Sequence, residues 1–475
     1  MVFVNLLIKP FWVFGIDRVV QNKLGISEYG FYFAVFNFTY LFQILLDFGF
    51  QNYSNRQVAA DRTKINNLLP SILAFKVILL VFYLIICVAV AYPLGYLNKP
   101  FIWIILINQI LLSFNIYLRS NVSAHQHFIT DALLSVLDKL LMILLCIALI
   151  WGNLKWFPLT IFNFALAQLV AYFITFVACL FFAFRLANKL VFAFSFENFF
   201  QIAKATLPYA IIYFLMTTYY RIDGVMLEKL QGINGAMESG IYAQGYRIME
   251  SLNNIGYLFA GILLPLFAYN IAQKKEIKTI LKSSVSIMFC VAVSIVVCLF
   301  AYKHDIMKLL YHSADVAYSS EVFGYLLLNF FPVAILYVIG TLLTANQNFK
   351  LMIYTLIIAV AINIILNFYL ITNYGAKGAG QATLITQLFM LVCYTTFSIR
   401  VFKIDINAMY ILQLFAFAVL CVAAIVLLKE KQFSENILYN IIIHFVLYFT
   451  AVPALAYITG LINRHTLKLK VGAEE

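Results

Sequence analysis

Residues 16–24 read IDRVVQNKL and residues 222–230 read IDGVMLEKL, five identities in nine at an offset of 206. Just beyond, EYGFY at 28–32 answers ESGIY at 238–242, three identities in five at an offset of 210. Asp, Lys, Glu and Gly matching in order inside otherwise apolar sequence marks a duplicated unit. Both copies sit at the end of one apolar run, cross a short polar link and enter the next run.

Working outward from the repeat, the runs that flank it fill the chain. Of 475 residues, 64% are hydrophobic and 11% charged, with a mean hydropathy of +0.94. Globular chains average about 45–50% apolar and about 25% charged. A soluble protein of this composition would leave too much apolar surface in water, which excludes a cytosolic enzyme, a secreted domain and a disordered chain. Apolar segments fall at about 3–22, 29–50, 68–92, 101–119, 132–151, 157–184, 205–227, 239–269, 283–301, 321–345, 351–372, 378–398, 408–428 and 437–462. Most of them approach or exceed the roughly 20 residues that a spanning helix needs. The first run has no small-residue cleavage site and reads as a retained span. The seven cysteines lie inside apolar runs without CxxC spacing and read as small buried residues, not as disulfides or metal ligands.

The sequence thus predicts an all-α integral membrane protein with about 14 transmembrane helices. Six spans separate the two copies, so both cross the membrane in the same direction. This gives two pseudo-symmetric six-helix lobes, 1–186 and 205–400, related by an axis along the membrane normal. A cytoplasmic linker at 187–204 would join them, and 401–475 would supply helices thirteen and fourteen and a tail. With the N-terminus in the cytoplasm, the inner loops and tail hold 17 Lys and Arg and the outer loops 9. That bias places both termini inside, and it accounts for much of the net charge of +12 without nucleic acid.

Eleven charges remain within spans: Lys9, Arg18, Lys76, Lys139, Arg221, Arg247, Asp17, Asp47, Asp138, Asp223 and Glu250. Each costs a few kcal/mol at bilayer depth unless it faces a bundle interior or a watered cavity. None lies after residue 250, so the first eight helices are expected to surround something polar. The repeat makes Asp17 and Asp223 symmetry mates, with Arg18 and Arg221 within a turn of them. Arg247 and Glu250, three apart, share a face, and Asp47 and Arg56 stand near the inner end of the second span. Guanidinium forks match phosphate oxygens and stay charged, so Arg18, Arg56, Arg221 and Arg247 read either as anion-capturing groups or as partners of the nearby acids. Asp17, Asp47, Asp223 and Glu250 read as coupling or gating residues, through H+ or Na+, or as structural ion pairs. Lys76 reads as a cavity residue or one that snorkels. Asp138 and Lys139 are expected on different faces, each pairing with a neighbouring helix, and Pro208, Pro265 and Pro332 to kink or unwind their helices. The longest outer loop, 302–320, is too short for an acceptor-binding domain, and neither GxxxxGK[ST] nor HExxH occurs. A transporter is therefore expected, not an enzyme, with no organic cofactor and no metal.

Longer stretches carry a resemblance. KLGISEYGFYF at 23–33 is followed by LLDFGFQNYSNR at 45–56, RIDGVMLEKLQG at 221–232, GIYAQGYRIMESL at 240–252 and NIILNFYLITNYGAKGAGQATLITQ at 363–387. In this order and spacing they resemble the polysaccharide and O-antigen flippases of the multidrug/oligosaccharidyl-lipid/polysaccharide exporter superfamily, to which the lipid II flippase is related. The resemblance covers essentially the full length. It implies a V-shaped, alternating-access cavity lined by helices one, two, seven and eight, in a bacterial cytoplasmic membrane. The substrate it implies is a polyprenyl-pyrophosphate-linked glycan, with Arg18, Arg56 and Arg247 on helices comparable to those that hold pyrophosphate in the lipid II relatives. It also implies a lipid-tail groove at helices thirteen and fourteen, and as partners membrane lipid and the glycan polymerase or glycosyltransferases of the same route. A drug:cation antiporter of the same superfamily is the alternative; a membrane glycan polymerase or glycosyltransferase is a more distant one.

Overall fold

The computed structural model describes residues 8, 10–152, 157–187, 196–312, 315–405 and 407–462. Lys9, residues 188–195 of the expected linker at 187–204 and the tail from 463 fall outside these residues. Among the described residues all regular structure is helical. The helices are α1 (Arg18–Leu24, entered through a π-helical turn at Trp12–Asp17), α2 (Ile26–Leu41), α3 (Ile44–Asp47), α4 (Phe50–Ala60), α5 (Ile65–Ala91), α6 (Phe101–Ala124), α7 (Phe128–Trp151) and α8 (Ile161–Leu186). Then come α9 (Phe196–Leu230), α10 (Gly235–Ala272), α11 (Lys278–Ala301), α12 (Lys303–Leu310), α13 (Val316–Ala345), a pair within Phe349–Phe402, α16 (Ala408–Lys429) and α17 (Ile437–Ile458).

Twelve helical stretches of described residues are long and apolar enough to cross a membrane. One of them, Phe349–Phe402, would be about 81 Å long if straight, more than twice a bilayer core. It is two helices, α14 (349–374) and α15 (376–402), meeting at Gly375, where φ is 57°. Glycine adopts that backbone readily. Gly378 is also required, since a Cβ there would lie 2.0 Å from the Leu370 carbonyl oxygen. With the long one split at Gly375, these stretches account for thirteen of the fourteen segments read from the sequence; of the first, 3–22, only residue 8 and the residues from 10 on are described, and they hold the π-helical turn and α1. Several helix starts are capped by a polar side chain: Asp315, Asn407 and Asn436 accept from the backbone N–H of Tyr318, Met409 and Leu438 at 2.8, 2.9 and 2.9 Å. Such caps satisfy first-turn amides that lipid cannot.

Three expectations are refined. The second apolar segment is not one helix: it turns at Phe42–Gln43 and breaks at Phe48–Gly49, both left-handed (φ 48° and 83°). Pro208, Pro265 and Pro332 each lie inside a helix that continues on both sides of them. The outer segment 302–320 contains the short helix α12.

The chain forms two compact units, Met1–Ala243 and Gln244–Glu475. In the first unit a core of Phe50, Leu69, Phe75, Tyr117 and Cys179 ties α4, α5, α6 and α8 together. The loop after α5 is clamped to the end of α9: Tyr96 donates to Glu228 at 2.9 Å, and Lys229 donates to the Leu94 carbonyl at 2.6 Å. Burial, then the Glu228 carboxylate, pushes the Tyr96 phenol up, so it stays a donor. In the second unit Cys290, Cys298, Phe417, Cys421 and Tyr448 join α11, α16 and α17.

The two copies of the repeat meet within the first unit. A Cβ on Gly30 would lie 1.9 Å from the Ala236 carbonyl oxygen, and one on Gly240 2.1 Å from the Ile26 carbonyl oxygen. The offset of 210 maps Ile26 onto Ala236 and Gly30 onto Gly240. The contact is therefore reciprocal, as a local two-fold requires, and α2 crosses the start of α10 backbone against backbone. Gly240→Ala is expected to lower stability by about 1–3 kcal/mol through overpacking. Gly261→Ala is the control, because its Cβ would meet nothing within 4 Å. Thermal unfolding of the two variants in the same detergent checks this; equal midpoints would refute the close crossing.

Candidate functional site

In the first unit the charged side chains gather along α2. Asp17 ends the π-helical turn, a widened geometry frequent at functional positions. It is 1% exposed and accepts from the Tyr29 hydroxyl at 2.8 Å and from Gln21 at 2.9 Å. Its repeat mate Asp223, also 1% exposed, accepts from the Tyr242 hydroxyl at 2.6 Å. The symmetry is approximate: the mate of Tyr242 is Tyr32, which donates instead to Gln168 at 3.2 Å, and Tyr29, one turn earlier, takes its place at Asp17.

Arg221 donates to Asn37 at 3.2 Å, and its guanidinium carbon lies 4.7 Å from the centre of the Tyr40 ring. Tyr213 on α9 continues this polar seam, donating to Gln43 at 3.4 Å. Tyr29 and Tyr40 are eleven residues apart, so Asp17 and Arg221 meet α2 at depths that differ by about 16 Å. Arg18 is different. It is partly buried, its Nε is shielded from solvent, and it forms no hydrogen bond or ion pair with any described residue.

Lys76 is fully buried and reaches the break after α3. Its Nζ donates to the Leu46 carbonyl at 2.7 Å, the Ser113 hydroxyl at 2.8 Å and Asp47 at 3.4 Å, and lies 5.5 and 5.6 Å from the Phe114 and Tyr117 rings. The ammonium has three N–H bonds, and all three are engaged. Two sequence candidates, Lys76 and Asp47, are thus joined to each other, and Lys76 satisfies a carbonyl that the broken helix leaves open. Arg56, on α4 beyond the break, is exposed and makes no hydrogen bond or ion pair with a described residue. Asp138 and Lys139, expected to look apart, pair directly at 3.2 Å.

In the second unit Arg247 and Glu250 form the i,i+3 pair read from their spacing, at 3.0 Å with 13% and 34% of each side chain exposed. Counting charges overlooked a set of buried amides there. Asn329, Asn363 and Gln387 are fully buried, and neither side-chain polar atom of Gln387 has a hydrogen-bond partner among the described residues. Their signal was present as amides inside apolar runs.

A family model described as polysaccharide biosynthesis protein matches residues 14–271, and the MatE model matches 208–369. No curated protein sequence matches. Among solved structures, the lipid II flippase MurJ in an inward closed conformation aligns with a TM-score of 0.71 at 13% identity, covering 97% of this chain and 98% of that one. An inward-facing multidrug resistance MATE transporter of the MOP superfamily aligns at 0.62 with 16% identity, covering 84% and 95%. A MOP superfamily transporter from Pyrococcus furiosus, described as having a binding pocket of reversed polarity, aligns at 0.54 with 16% identity, covering 85% and 95%. These structures share its fold. With more than half of its residues matched by the family model, the chain belongs to the polysaccharide biosynthesis protein family.

Proposed function

We propose that this protein is a flippase that carries a polyprenyl-pyrophosphate-linked oligosaccharide from the inner to the outer leaflet of the bacterial cytoplasmic membrane. The observation that carries the reading is Arg18, a guanidinium with a solvent-shielded Nε and no counter-charge bonded to it among the described residues. A phosphate oxygen supplies the missing acceptor, and bidentate charge-assisted bonds offset the cost of bringing a pyrophosphate toward the midplane. Arg56, equally unengaged, receives the head group first, and Arg221 and Arg247 are further phosphate contacts. Asp17, Asp47, Asp223 and Glu250 serve gating or H+ or Na+ coupling, and the polyprenyl tail stays in lipid. Both termini face the cytoplasm. The match to MurJ supports a lipid-linked substrate.

The MatE match favours a second reading, a drug:cation antiporter. The excess of basic over acidic residues among the in-span charges weighs against a cationic substrate. Reconstituted vesicles separate the two. Transfer of a polyprenyl-pyrophosphate glycan between leaflets, with its mass unchanged and no efflux of a cationic dye, is the expected result. Dye efflux without glycan transfer would overturn it, and a product of altered mass would point to an enzyme.

A further inference from the structure

Within the second unit, a cavity of about 550 Å³ opens between α11, α13, α15 and α16. It falls in the size range of small-ligand sites, yet it plays no part in the charged constellation above. Its depth is apolar, formed by Phe289, Phe331, Ile335 and Leu414. Its mouth is charged: Lys278 and Lys282 line it, together with Glu276 and Asp405. The mouth segments 274–282 and 400–407 carry six basic residues, Lys274, Lys275, Lys278, Lys282, Arg400 and Lys403, against those two acids.

We propose that this cleft is a binding site for an anionic phospholipid, distinct from the transported substrate. One acyl chain fills the apolar depth, and the phosphate lies between Lys278 and Lys282. Three observations converge on that occupant. The first is charge complementarity: the segments that carry the mouth hold six basic residues against two acids, on the face that the Lys and Arg count assigns to the cytoplasm, and basic pockets between membrane helices on that face suit anionic head groups. The second is that the lysines are available. Lys278 meets Asp405 at 3.3 Å with 45% and 97% of the two side chains exposed, a weak pair, and Lys282 rests over the Tyr410 ring at 4.9 Å. The third is an orphaned hydroxyl inside the wall. Ser398 is 2% exposed, lines the cavity, and its Oγ has no hydrogen-bond partner among the described residues. A serine in a lipid-embedded helix would ordinarily return its proton to a backbone carbonyl one turn back. An ester or phosphate oxygen of a seated lipid gives this one an acceptor. The last helix, α17, contributes no residue to the lining, so the cleft differs from the tail groove that the family resemblance places between helices thirteen and fourteen.

Native mass spectrometry of the full chain in detergent, with phosphatidylglycerol and phosphatidylcholine of the same acyl chains as probes, tests the assignment. Phosphatidylglycerol is expected to be retained about tenfold or more over phosphatidylcholine, as two lysines near an anionic head group imply. Lys278→Ala with Lys282→Ala is expected to abolish the preference, whereas Lys350→Ala is expected to preserve it. Leu391→Trp, which fills the cleft without touching its charges, is expected to lower retention of both lipids and guards against a misfolded lysine variant. Equal retention of the two lipids, or an undiminished preference in the double variant, would overturn the proposal. So would displacement of phosphatidylglycerol by inorganic phosphate, or by polyprenyl phosphate in a manner that needs Lys278 and Lys282. The latter result would make the cleft part of the substrate path.

Discussion

Arg18→Ala is expected to reduce leaflet-to-leaflet transfer of the lipid-linked glycan about 10- to 100-fold, with little change in thermal stability. A charge-assisted hydrogen bond contributes about 1.5–3 kcal/mol, and about 1.4 kcal/mol corresponds to a factor of ten. Stability is spared because Arg18 bonds to no described residue, so its removal orphans no acceptor. Arg18→Lys separates simple charge from fork geometry. An ammonium keeps the charge but cannot grip two oxygens in one plane, and transfer is expected to recover only in part. Arg221→Ala provides the contrast: it removes a bond to Asn37 and a stack on Tyr40, so both transfer and stability should fall. If Arg18→Ala transports like the parent at equal expression, the phosphate-holding role assigned to it is wrong.

Lys76→Met is expected to destabilise the protein by about 3–5 kcal/mol, the range for removing one member of a buried ion pair. Asp47 retains 23% of its side-chain surface in the open, so the lower end applies. The loss has two parts: a carboxylate without its counter-ion, and the Leu46 carbonyl left with only the 3.3 Å contact to Ser113. Asp47→Asn in the Lys76→Met background is expected to restore part of the loss, because the uncompensated charge disappears while the carbonyl defect stays. Thermal unfolding of both variants and of Asp47→Asn closes the double-mutant cycle. Additive effects would show that the pair is not coupled.

How much of this was legible beforehand depended on the kind of signal. Apolar run length gave thirteen of the fourteen segments in full, because lipid forces every backbone amide into a helix. The Gly375 turn was visible in NYGAKG, where glycines separate two runs. The break at 42–49 was not, since LFQILLDFGF averages as a continuous apolar stretch, and only the Asp47–Phe48–Gly49 cluster hints at it. In the candidate site, spacing correctly put Arg247 beside Glu250. It could not foresee that Asp17 takes its hydroxyl from Tyr29 while Tyr32 donates to Gln168, because both tyrosines lie on α2 within one turn of each other. Tallying charges drew attention to residues up to 250 and hid Asn329, Asn363 and Gln387, whose neutral side chains are cheaper to bury but equally in need of partners.

The reciprocal crossing at Gly30 and Gly240 ties the descendants of a duplication to one another. After copying, each half would normally be free to drift, accumulating its own side chains and its own spacing. Here each glycine closes on a carbonyl contributed by the other copy, so bulk added to either strains both. At this point the two halves change in lockstep or not at all.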